Sequence, residues 1–135
     1  MTYQTEPLLN EFSVLSQELI EGMLGAQRRP IADAYWEESD VNKRMGIQAD
    51  TFLEFDNRVQ AFIVKMASLP NNTILFGHGF WFALLVWHLM GFLANENPGM
   101  KAYKRFQQGL PLNNCIIYAL SSGHNLPWSV QVHSK

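Results

Sequence analysis

The feature that most constrains this chain is the run of residues 73–93, which contains no aspartate, glutamate, lysine or arginine. Its length reaches the ~20 apolar residues that a bilayer-spanning helix needs. Two histidines and three glycines interrupt it, however, and Gly77-His78-Gly79 falls where a turn would divide an apolar strand from a buried helix. A strand followed by a helix produces the same hydropathy as a span, and the glycines favour that division. The run therefore predicts a strand at residues 73–76, apolar because both its faces are covered. A loop carrying His78 follows, then a helix over residues 80–90 that is apolar all round and ends at Gly91.

Around this run the periodicity predicts further elements. Thr51 and Glu54 have capping-box spacing, and Phe52, Phe55, Val59, Phe62, Ile63 and Met66 form one stripe of a helix that Pro70-Asn71-Asn72 stops. A shorter helix is expected over about residues 13–24, ended by Gly25, with loop and short helix over residues 27–38. Pro98 precedes a polar helix over residues 99–108, in which Met100, Tyr103 and Phe106 recur three apart. Residues 115–120 and 128–132 read as strands, the second by its alternation of Trp128, Val130 and Val132 with polar neighbours. The order is that of an α/β domain, with 1–135 as a single unit. Three strands are few for an open sheet, so the domain reads as partial.

Composition narrows the partners. A formal charge of −2 and a pI near 6.0 provide no basic field for a phosphate backbone, so nucleic acid is not expected. The single cysteine, Cys115, has neither a disulfide partner nor metal-ligand spacing, which favours a reducing compartment, the cytoplasm. The first residues have no basic and apolar signal pattern, so neither export nor membrane insertion is expected.

His78 is the main candidate for chemistry. It stands between two glycines at the carboxyl end of the expected strand, where open α/β sheets bind ligands, and just before a helix N-terminus that favours anions. The glycines allow close backbone approach, and the imidazole can donate hydrogen bonds to phosphoryl oxygens. The bland alternative is a histidine that caps or packs a tight turn. His88, inside the apolar helix, is expected to be a core or interface residue with a hydrogen-bond partner. His124 and His133 lack ligand spacing, and neither a metal nor an organic cofactor is expected. Trp81, Phe82 and Trp87 read as core packing.

The stretch Ile74-Leu75-Phe76-Gly77-His78-Gly79 and its apolar helix resemble the second signature of the histidine phosphatase (phosphoglycerate-mutase-like) superfamily. Asp50 to Val59 is similar to the family helix before that strand. Residues 112–117 resemble the strand that comes after it. Pro7-Leu8-Leu9-Asn10-Glu11-Phe12 looks like the segment whose glutamate donates a proton in phosphatase branches.

The resemblance implies a partial three-layer α/β sandwich with a short, mainly parallel sheet between helices. It makes His78 and Glu11 catalytic, with phosphate held at His78 and Gly79. Arg28 and Arg29 could contact substrate as a basic loop, or could simply be surface. The family's Arg-His-Gly nucleophile strand and its Ser-x-x-x-Arg clamp do not occur here, so the chain looks like a family domain entered partway along. It is expected to be a truncated phosphohydrolase with little or no activity alone, or else a non-catalytic module for a phosphorylated ligand or a protein. A missing first strand would leave an apolar edge beside residues 73–76. That implies a homo-oligomer, or a second chain supplying the strand.

Overall fold

The computed structural model describes residues 2–123 and 128–133; Met1 and His124 lie outside them. A 3-10 turn at Pro7–Leu9 leads into α1 (Gln17–Ile20), α2 (Gly25–Glu38), α3 (Phe52–Met66), α4 (Gly79–Leu89) and α5 (Asn97–Gly109). The hairpin β1 (Tyr118–Ser121) and β2 (Ser129–Val132) closes the chain.

α3 forms as its pattern predicts. The Thr51 hydroxyl accepts the N–H of Glu54 at 3.1 Å, satisfying one orphan donor of the first turn. Its stripe of Phe52, Phe55, Val59, Phe62 and Met66 is buried. α4 packs against both α3 and α5, which explains a helix apolar on every side: Trp81, Ala83, Leu84, Leu85 and Val86 are all buried. Phe12 stacks on Phe55 with ring centroids 4.7 Å apart and meets Phe52 edge-on, so the segment before α1 joins the same core. Each such buried side chain contributes on the order of 1.5–3 kcal/mol through removal from water. Gly91, at φ 92°, follows α4 in the left-handed region that suits glycine.

The expected three-layer α/β sandwich is not found. Five α-helices dominate, and the one sheet among the described residues is the antiparallel pair β1–β2, in register Tyr118↔Val132 to Ser121↔Ser129. The physical reason lies in residues 73–76. Leu75 packs on the core, but Ile74 is 70% and Phe76 87% exposed. No backbone group of residues 74–77 bonds to another described residue. An apolar run becomes a strand only when a neighbour supplies the ladder, and here none does.

Three local expectations also change. The helix over residues 13–24 shrinks to α1, and Gly25 begins α2 instead of ending α1. The Gln27 side chain accepts the Leu24 N–H at 2.8 Å, fixing the start of α2, and Ala26, Ala32 and Ala34 favour its continuation despite Pro30. β1 starts at Tyr118 because Cys115, at φ 64°, sits in a turn. Among the described residues no helix is long and apolar enough to cross a membrane.

Candidate functional site

The free amides at the start of α4 are filled by a side chain of the same protein. One oxygen of Glu11 accepts the N–H of Phe80 at 3.0 Å, and the other accepts that of Trp81 at 2.9 Å and of Phe12 at 2.9 Å. Glu11 and Phe80 are 69 residues apart in sequence. His78 is the residue immediately outside this turn, in extended backbone, with an exposed side chain that makes no capping bond. Glu11, His78 and Gly79 therefore meet at one helix end, where the dipole and orphan donors favour negative charge.

Glu11 is held there by a second set of residues. Arg58 of α3 donates to the carbonyls of Asn10 and Glu11, each at 3.2 Å, and to the Asp50 carboxylate at 3.1 Å. Asp50 also accepts the Ser13 N–H at 2.9 Å, while its own N–H donates to Ser13 oxygen at 2.8 Å. On the other side the Trp81 indole donates to Leu8 oxygen at 2.6 Å. The segment from Leu8 to Ser13 is thus clamped between the start of α3 and the start of α4.

α5 forms a further wall. The Tyr103 hydroxyl donates to Phe80 oxygen at 2.7 Å. Burial, with the Glu11 charge as the smaller cause, pushes this phenol well above its ordinary value of 10.0. The Leu112 side chain lies 3.8 Å from where a Cβ on Gly79 would stand.

Arg28 and Arg29 do not join this site by any contact among the described residues. Both are exposed on α2, and Arg28 is turned back onto Met23 oxygen at 3.0 Å. His88 is a core residue with partners on both nitrogens: Nε2 lies 2.6 Å from Asp56 and Nδ1 3.1 Å from Phe92 oxygen. Its ring is fully engaged, which leaves no nitrogen for a ligand. Asp56, fully buried, also accepts from the Gln60 amide at 2.6 Å. Among the described residues no group of three or more His, Cys, Asp or Glu could hold a metal ion. An apolar cavity of about 320 Å³ lies near the far end of α4, lined by Leu89, Phe106, Tyr118 and Val130 among others. It includes neither Glu11 nor His78, and the chemistry-bearing end of α4 is the better candidate because polar groups converge there.

The sequence reading missed Asp50 and Arg58 as positioning residues. Their signal was present but indirect: an acid just before a helix cap and an arginine two turns on. Nothing in the pattern said that they would grip residues 10–13. No protein-family model, curated protein or solved structure matches this chain.

Proposed function

We propose that the chain carries the histidine-and-acid side of a histidine-phosphatase-type phosphohydrolase site, acting on a small phosphate ester and inactive by itself. The observation that supports this most directly is the meeting of Glu11 and His78 at the start of α4, next to an apolar segment whose backbone has no ladder partner among the described residues. His78 would donate to phosphoryl oxygens. Glu11 would protonate the leaving oxygen once one of its own oxygens is released from the α4 amides. The 135 residues contain no Arg-His-Gly, so the phosphoryl acceptor must come from other residues.

We place that acceptor on a strand laid against residues 74–77, from a partner chain; a homo-oligomer pairing these segments is the simpler form of the same idea. The lone cysteine Cys115 favours the cytoplasm. A second reading, a non-catalytic module for a phosphorylated ligand or a protein, is favoured by the way Glu11 already occupies the amides.

The test has two parts. The purified chain is expected to hydrolyse p-nitrophenyl phosphate no faster than its His78→Ala variant. Inorganic phosphate titrated into labelled protein is expected to shift the amide resonances of His78 and Gly79. Robust turnover lost with His78 would show that the chain is complete in itself, and phosphate shifts confined to other residues would remove the site.

A further inference from the structure

His88 bonds at both ring nitrogens, and both partners are oxygens. Nδ1 lies 3.1 Å from the Phe92 carbonyl, and Nε2 lies 2.6 Å from Oδ1 of Asp56, whose Oδ2 accepts the Gln60 amide at 2.6 Å. A carbonyl oxygen only accepts, so Nδ1 carries a hydrogen. The second bond then needs one more proton, held either on Nε2 facing a carboxylate or on Oδ1 facing a bare nitrogen. In both arrangements the pair has no net charge. Without that proton, lone pairs oppose each other at one of the two contacts, and a negative charge is left in the core. The side chains of His88 and Asp56 are 7% and 0% exposed, so solvent does little to offset that charge.

No other described residue neutralises it. The helices packed against α4 are α3 and α5. On α3, Glu54 and Arg58 pair with Arg44 and Asp50, and Lys65 pairs with Glu6. On α5, Lys101 faces Glu37, Lys104 lies over the Phe80 and Trp36 rings at the opposite end of α4, and Arg105 is exposed. β1 meets α4 through the Tyr118 ring on Phe82, and the Tyr118 hydroxyl donates to Pro111 oxygen. α4 has no further ionisable side chain, and Glu96, in the loop beyond it, is exposed.

The bond to Phe92 closes the turn after α4. Phe92 stacks on Trp87 with centroids 4.7 Å apart and donates its N–H to Trp87 oxygen at 3.2 Å, while the Trp87 indole donates to Leu93 oxygen at 3.0 Å. His88 is the one described partner of the Phe92 carbonyl. Gly91, Phe92 and Leu93 are exposed, so little burial holds them beyond these contacts. We propose that the proton shared by His88 and Asp56 is a switch on this turn. With it bound, the turn is closed onto Trp87. Once it leaves, the remaining ring hydrogen goes to Nε2, where the bond to the carboxylate is charge-assisted, and the exposed Phe92 carbonyl is released to water. The closed turn belongs to the acid end of the imidazole range, about pH 5 to 8, and is lost as the pH rises through it.

The experiment follows amide hydrogen exchange, corrected for intrinsic rates, and the ring-nitrogen resonances of His88 over that range. It uses the labelled parent chain, Asp56→Asn and His133→Gln. In the parent, protection of the Phe92 amide is expected to fall roughly tenfold, the worth of one hydrogen bond, at the pH where the His88 ring changes form. In Asp56→Asn the new amide can donate to Nε2 while its oxygen accepts from Gln60, so both His88 bonds form on a neutral ring. Phe92 protection is then expected to be independent of pH, a result that a merely structural pair does not give. His133→Gln, at an exposed histidine, is expected to keep the parent's profile. A His88 ring that keeps one form across the range overturns the switch, as does Phe92 protection that ignores the ring. Parent-like pH dependence in a folded Asp56→Asn overturns the shared proton. Should Asp56→Asn not fold, the parent decides alone, by whether Phe92 protection follows the His88 ring.

Discussion

Replacing Glu11 with alanine separates its structural part from its place in a ligand site. The substitution removes the acceptor for three backbone N–H groups, two of them in the first turn of α4. Loss of a single N-terminal cap costs about 0.5–2 kcal/mol. A carboxylate at a helix end adds a dipole contribution, while water can re-solvate donors at this partly exposed position, so the expected loss is about 2 kcal/mol. For a chain of this length that lowers the melting temperature by about 8 °C. The vacated amides are also an anion site, so phosphate should bind the variant more tightly than the parent and offset the whole loss, with about 2.7 kcal/mol of stabilisation at a hundredfold excess over its Kd. Thermal unfolding with and without phosphate, at constant ionic strength, measures both effects. A variant that melts with the parent and gains nothing extra from phosphate would refute the assignment of Glu11 to the α4 end.

Other outcomes follow from the buried polar groups. Asp56→Ala leaves His88 Nε2 and the Gln60 amide without their acceptor in the core, and should cost about 3–5 kcal/mol in urea unfolding with an unchanged slope; a loss under about 1 kcal/mol would mean that the pair holds nothing together. The Tyr35 hydroxyl is buried with no partner among the described residues, so Tyr35→Phe should be neutral or stabilise by up to about 1 kcal/mol, and clear destabilisation in the same assay would reveal a missed partner. Burial raises the phenols of Tyr35 and Tyr103 above 10.0, so the stability tied to their neutral forms is complete below the unfolded value and falls as the pH rises beyond it. Their tyrosinate absorbance should therefore appear together with loss of helical circular dichroism, and its appearance in a fully folded chain would contradict their burial.

Local chemistry made several elements legible in advance. Thr51 and Glu54 announced α3, Gly91 announced the end of α4, and Pro98 the start of α5, because capping and backbone restriction act within one turn of chain. The two terminal strands were legible in outline, the first by its apolar, partly β-branched run and the second by alternation, although the start of β1 at Tyr118 and their pairing as an antiparallel hairpin were not. α2 was misjudged because Gly25 and Pro30 are both breakers by propensity, and the Gln27 cap that outweighs them is a single side-chain bond.

The larger correction concerns residues 73–76. Thr73 and the three apolar residues before Gly77 carry a preference for a buried strand, but a strand is a relation between two segments, and no described segment pairs with this one. The sequence by itself determined which residues are apolar, where α3 and α5 begin and where α4 ends, and that His78 stands between two glycines before a helix. Tertiary structure alone decided that Glu11 reaches that helix end across 69 residues and that Arg58 and Asp50 hold it there. The difference is one of range: capping and periodicity are fixed by neighbours along the chain, whereas a site of this kind depends on helix packing that brings distant residues within hydrogen-bond reach.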